Sequence, residues 1–131
     1  MSQEKTLRKK IREMIRGEIN EESLVGKWFR KLAKNGSKII LMPAAFTVPS
    51  GKAHWEVMVR SRAIENSLFV IATNMCGTHH TNRKTYGYSL LVNPWGKIIN
   101  KAKSKPSILN TEINLNEVME ARMKIPAILN D

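Results

Sequence analysis

Met42-Pro43-Ala44-Ala45-Phe46-Thr47-Val48-Pro49-Ser50-Gly51-Lys52-Ala53-His54-Trp55-Glu56 changes character twice, and Arg60-Ser61-Arg62-Ala63-Ile64-Glu65-Asn66 follows it closely. An apolar run, Ile39-Ile40-Leu41-Met42, ends at Pro43. A short loop carrying Pro49, Ser50 and Gly51 comes next, and a helical pattern then starts with His54, Trp55 and Glu56 in its first turns. Polar and aromatic groups therefore gather just beyond a strand end, where α/β proteins usually place ligands. The same residues also have a plainer reading from spacing. Trp55 would be core, Glu56 would pair with Arg60 one helical turn on, and His54 would cap or pack.

Working outward, Trp28, Phe29, Leu32 and Ala33 form the apolar face of a short helix, and Asn35-Gly36 supplies its left-handed stop. With helices on both sides, Ile39 to Met42 reads as a strand covered on both faces. Leu68-Phe69-Val70-Ile71-Ala72 is a second run of β formers, so strand, helix and strand make a crossover unit of parallel strands. Asn74 to Lys84 is polar and reads as a loop. Tyr86 to Val92 reads as one half-buried strand, Asn93-Pro94-Trp95-Gly96 as a type I turn, and Lys97 to Ala102 as the hairpin partner. Ile108, Leu109, Thr111 and Ile113 offer one more strand. Asn114 with Glu117 three positions later predicts a capping-box helix start, and Pro126 a stop. The fold class is α/β, a mixed sheet with helices on at least one face.

The totals set outer bounds. A chain of 131 residues is most economically one domain able to bury roughly two-thirds of its unfolded surface. Its 42% hydrophobic and 25% charged residues are ordinary for a globular protein. The formal net charge of +11 is large and could draw nucleic acid or an anionic surface. The basic residues are spread, however, and no aromatic residues interleave with them as a stacking platform requires, so a dedicated nucleic-acid role is not expected. The single cysteine, Cys76, excludes an intramolecular disulfide and suits a reducing compartment, so cytoplasm is the expected location. No run approaches the ~20 apolar residues of a membrane span.

Residues 1–24 read as a separate basic amphipathic segment: Leu7, Ile11, Met14 or Ile15, and Ile19 fall at helical spacing among Arg8, Lys9, Lys10, Arg12 and Arg16. Lacking a Trp or Phe anchor, it is expected to pack on the protein and not on a membrane. Cys76, His79 and His80 invite a metal reading, but a structural zinc site takes four ligands at paired spacing, so no metal and no cofactor are expected. Cys76 is a weak nucleophile candidate, because no helix opens behind it to stabilise a thiolate.

Several motifs agree in order and spacing with one family. The opening stretch, Arg62-Ala63-Ile64-Glu65-Asn66, Thr73-Asn74-Met75-Cys76-Gly77-Thr78-His79, Tyr86-Gly87-Tyr88-Ser89 and Val92-Asn93-Pro94-Trp95-Gly96 together resemble the nitrilase, or carbon-nitrogen hydrolase, superfamily, in particular its omega-amidase branch. The likeness runs from about Trp28 to the C-terminus. It implies that residues 25–131 form a partial domain, about half of a four-layer αββα sandwich whose members hydrolyse carbon-nitrogen bonds other than peptide bonds. It also implies that Phe46, Thr47, His54, Trp55 and Glu56 border the substrate pocket, and that dimers form through the helix of residues 52–66.

The family's catalytic glutamate, lysine and cysteine all precede this stretch. Where the nucleophile would fall, the chain reads Asn20-Glu21-Glu22-Ser23-Leu24-Val25-Gly26-Lys27, so no residue is assigned as catalytic. An acid-base pair of His54 and Glu56 is disfavoured, since residues two apart on a helix diverge. The expectation is a truncated carbon-nitrogen hydrolase, inactive alone. Its partner would be a second copy or a separately encoded N-terminal half, and it would take a small amide substrate only when completed. Two alternatives stand beside it: an amidase restored in trans by such a half, and a basic module for RNA or an anionic surface.

Overall fold

A computed structural model describes the backbone of residues 2–15 and 21–129, with side chains over 2–9 and 26–129. The first helix, α1 (Gln3–Ile15), carries an exposed Arg8–Glu4 ion pair of 2.6 Å. Of the apolar stripe read into it, Leu7 is exposed, while the side chains of Ile11, Met14 and Ile15, and all of Ile19, lie outside the described residues. Helix α2 (Glu21–Lys34) buries Phe29 and Ala33 and leaves Trp28 exposed. It ends as Asn35-Gly36 indicates: Gly36 takes φ +97°, and the Ser37 amide donates to the Leu32 carbonyl.

Strand β1 (Ile39–Ala44) is followed by α3 (Val48–Ser50), a wider π-helical turn over Gly51–Trp55, and α4 (Glu56–Asn66). The helical run thus begins six residues before His54, at Val48. Pro49 suits this first turn because its missing amide has no partner to lose there. Ser67, left-handed at φ +48°, ends α4 and donates its amide to the carbonyls of Ala63 and Ile64. Strand β2 (Phe69–Asn74) then pairs parallel with β1, Ile39 opposite Phe69 and Ala44 opposite Asn74. The crossover unit read from the sequence is present.

Only one face of β1 is covered, contrary to the expectation. Ile40 is 6% exposed and its neighbour Leu41 70%. The strand lies at the edge of a four-stranded sheet of order β1-β2-β5-β6, in which β5 is Leu90–Val92 and β6 is Ile98–Lys101, both antiparallel to their neighbours. Pro43 is tolerated there because an edge strand need not donate from every amide. The core joins Phe29, Ala33, Ile40, Trp55, Val59 and Ala63 to the buried residues of β2 and β5. Each large side chain buried this way contributes about 1.5–3 kcal/mol relative to exposure. Arg62 ties α4 to α2 by standing 5.7 Å from the Phe29 ring, and Asn66 closes back on its own helix through the Arg62 carbonyl.

Three further expectations are corrected. The single strand over Tyr86 to Val92 divides: β4 (Lys84–Tyr86) pairs with β3 (Cys76–Thr78) in a separate two-stranded sheet, and β5 belongs to the main one. Gly87 and Tyr88, both at positive φ, turn the chain from one sheet to the other. A Cβ on Gly87 would come within 2.8 Å of the Cys76 Cβ. Residues 108–113 form no strand among the described residues; Asn100 Nδ2 holds this segment by donating to Thr111 Oγ1 at 2.7 Å. Helix α5 (Asn116–Lys124) starts on an Asn114 turn, in which Oδ1 accepts the Asn116 amide and not that of Glu117. The Asn93–Gly96 turn closes as read, with the Gly96 amide 2.9 Å from the Asn93 carbonyl.

Candidate functional site

The loop leaving β1 is pinned before it enters the helix. The Phe46 amide donates to Asn74 Oδ1 at 2.9 Å, and Asn74 Nδ2 donates to the Gly87 carbonyl at 2.8 Å. A buried side chain at the end of β2 therefore joins the β1 loop to the sheet-switching turn. Thr47 and Ser50 share a hydroxyl hydrogen bond of 2.7 Å, and the Thr47 carbonyl accepts the Gly51 amide. Asn74 is the organising residue that reading for reactive groups misses. Its signal in the sequence is a lone amide side chain at the end of an apolar strand.

Trp55 is fully buried, packs its ring 5.1 Å from that of Phe46, and donates Nε1–H to the Tyr88 carbonyl at 2.8 Å. The rings of Tyr86 and Tyr88 lie 4.5 Å apart. Gly51 is required by this packing, since a Cβ there would fall 2.2 Å from Tyr86 Cγ. His54 is exposed on the π-helical turn.

Glu56 does not pair with Arg60. Its Oε2 accepts a 2.8 Å hydrogen bond from Lys101 Nζ on β6, while Arg60 Nε donates to the Gly96 carbonyl. The Lys101 ammonium also stands 5.4 Å from the Tyr88 ring centre. Hydrogen bonding to Glu56 raises the Lys101 pKa, desolvation opposes that, and the Glu56 charge adds to the rise. The motif residues thus sort into a packed pair of buried Trp55 and half-buried Phe46, a turn hydroxyl at Thr47, an exposed imidazole at His54, and a partly exposed ion-paired carboxylate at Glu56.

A cleft of about 390 Å³ opens beside them, walled by Lys52, Thr78, Lys84, Thr85, Tyr86 and Ser104 among others. The five motif residues stand outside its wall; their neighbours Val48 and Lys52 are in it. Cys76 lines a second cleft of about 210 Å³ with Asn74, Ser89, Lys103 and Lys105. His79 Nε2 is 2.9 Å from Thr85 Oγ1. Among the described residues no three His, Cys, Asp or Glu side chains are grouped to hold a metal ion, and no helix is long and apolar enough to cross a membrane.

A parallel β–α–β unit extended by an antiparallel hairpin, with the Phe46–Trp55–Glu56 segment after its first strand, defines an α/β domain built on a mixed sheet. Residues 14–123 match the carbon-nitrogen hydrolase family, and the chain belongs to it. It is similar to deaminated glutathione amidase of Synechocystis sp., 38% identical over 100 residues that cover 76% of this chain and 37% of that protein. It is similar too to the Mus musculus protein of the same name, 41% identical over 96 residues, 73% of this chain and 30% of that one. Among solved structures, the C. elegans NitFhit protein superposes with a TM-score of 0.76 at 33% identity, covering 81% of this chain and 26% of that chain. A carbon-nitrogen hydrolase from Helicobacter pylori G27 gives 0.72 at 26% identity, covering 81% and 42%. The chain spans about a third of the length of the curated relatives it matches.

Proposed function

We propose that this chain forms the scaffold side of an amidase-type site acting on small carbon-nitrogen substrates, and that by itself it lacks the nucleophile. Amide hydrolysis by covalent catalysis takes a thiolate at the carbonyl carbon, a base to move protons, and donors for the oxyanion. The observation carrying the reading is the state of Glu56. Its carboxylate is engaged by Lys101 at 2.8 Å, which suits a group that braces the start of a helix and not one that shuttles protons. The sole cysteine sits on a hairpin strand facing Tyr86 and not on a strand-to-helix turn, where backbone amides would await an oxyanion. Pocket lining by Phe46, Thr47, His54, Trp55 and Glu56 belongs to this proposal, as does a cytoplasmic setting.

The test is ammonia release from omega-amides and N-carbamoyl compounds by the purified chain and by Cys76→Ala. Neither protein is expected to release ammonia. Release by wild type that is lost in Cys76→Ala would make Cys76 the nucleophile and overturn the proposal.

A second reading, completion in trans, draws support from β1. Among the described residues the strand pairs only with β2, and it presents Leu41 at 70% exposure. A chain supplying the glutamate, lysine and cysteine would add strands along that edge. Co-expression with the corresponding N-terminal part of a deaminated glutathione amidase tests it: co-purification and ammonia release support this reading, and separate elution counts against it.

A further inference from the structure

We propose that the cleft between the helix start and the β3–β4 hairpin is a binding site for a small molecule carrying a carboxylate or phosphate beside an apolar part. Lys52 contributes to its wall from the π-helical turn and Lys84 from β4, so two lysines from separate elements line it. Neither has an ion-pair partner among the described residues. Among the described residues no carboxylate lines the cleft. Glu56, nearby in the motif, is already neutralised by Lys101, so it does not cancel the two free charges. Thr78 and Ser104 add hydroxyl-bearing residues to the same wall, while the Thr85 hydroxyl is engaged by the Gly77 carbonyl and His79.

The remaining wall is apolar and preorganised. Tyr86 is wedged against Gly51 and lies 4.5 Å from the Tyr88 ring, so it loses little freedom when a ligand arrives. A volume of about 390 Å³ is within the usual size of small-molecule sites. The overall charge of +11 draws anions toward it at low salt.

The full chain is titrated by calorimetry and NMR with benzoate, phenyl phosphate and the neutral benzyl alcohol. At least one anion is expected to bind, to weaken with added salt, and to shift the Tyr86 and Tyr88 resonances, with benzyl alcohol inert. The tighter of the two anions assigns the headgroup as carboxylate or phosphate. Replacing both Lys52→Gln and Lys84→Gln removes two charge-assisted contacts and should lower affinity about tenfold or more. Lys103→Gln with Lys105→Gln removes the same charge outside this cleft and should leave affinity unchanged. Absence of binding by both anions, equal binding of benzyl alcohol, or equal losses in the two double variants would overturn the proposal. The readout involves no turnover, so it stands or falls apart from the hydrolytic reading.

Discussion

Lys101 on β6 places its ammonium 2.8 Å from the carboxylate of Glu56 at the start of α4, joining the far edge of the sheet to the helix that follows β1. Both side chains are more than a third exposed, so solvent screening keeps the pair's worth within about 1 kcal/mol. Lys101→Met is expected to lower stability by that amount or less in urea unfolding. The pKa of Lys101 is raised above its ordinary value of 10.5. Its contribution is therefore fully present below about pH 10.5 and fades as pH rises through the folded-state value. As pH is raised from neutral, the unfolding midpoints of wild type and Lys101→Met should converge through that value; a gap unchanged by alkali would refute the assignment.

Gly51 has no room for a methyl group. Gly51→Ala drives a Cβ to 2.2 Å from Tyr86 Cγ, and overpacking of this kind costs about 1–3 kcal/mol or more. Thermal unfolding should show the loss. Adding Tyr86→Ala to Gly51→Ala should cost less than the two single changes summed, because the two residues compete for one space.

Asn74 bonds two backbone groups of separate segments. In Asn74→Ala the Phe46 amide and the Gly87 carbonyl both lose their partner, at about 1–3 kcal/mol for each group left buried. Asn74→Asp keeps an acceptor for Phe46 but sets a carboxylate against the Gly87 carbonyl, so it should rescue only in part. Chemical denaturation gives the ranking wild type, Asp, Ala, and amide exchange at Phe46 should quicken in Asn74→Ala.

Trp55→Phe retains most of the ring packing on Phe46 and removes the Nε1–H donor to Tyr88. A loss of about 2 kcal/mol is expected from the smaller ring together with the unpaired carbonyl. The Tyr86 and Tyr88 ring resonances should broaden or shift, since that hydrogen bond holds the left-handed turn at Tyr88 in place.

Much of the architecture is legible because its signals are local. Asn35-Gly36 stops α2 and Asn93–Gly96 closes its turn, each through groups a few residues apart, and the apolar runs before and after α4, each a local pattern of β formers, become paired parallel strands. The site is less legible. Trp55 and Phe46 can be read as aromatic neighbours of a strand end, but which of the motif residues is interior depends on Tyr86 and Tyr88, which lie some thirty residues further on. Glu56 had a suitable local partner in Arg60 and took Lys101 instead, 45 positions away.

What the chain carries on its own is therefore the order of its elements, its family and its charge: hydrophobic period, turn residues and motif spacing are properties of short segments. Tertiary structure decided the rest. Tyr86 to Val92 parts into two sheets because Gly87 must pass close to Cys76, β1 is covered on the Ile40 face and open on the Leu41 face, and Lys52 and Lys84 come to line one cleft because the helix start packs on the hairpin. Each of these depends on groups distant in sequence meeting in space, and a local pattern holds no record of such meetings.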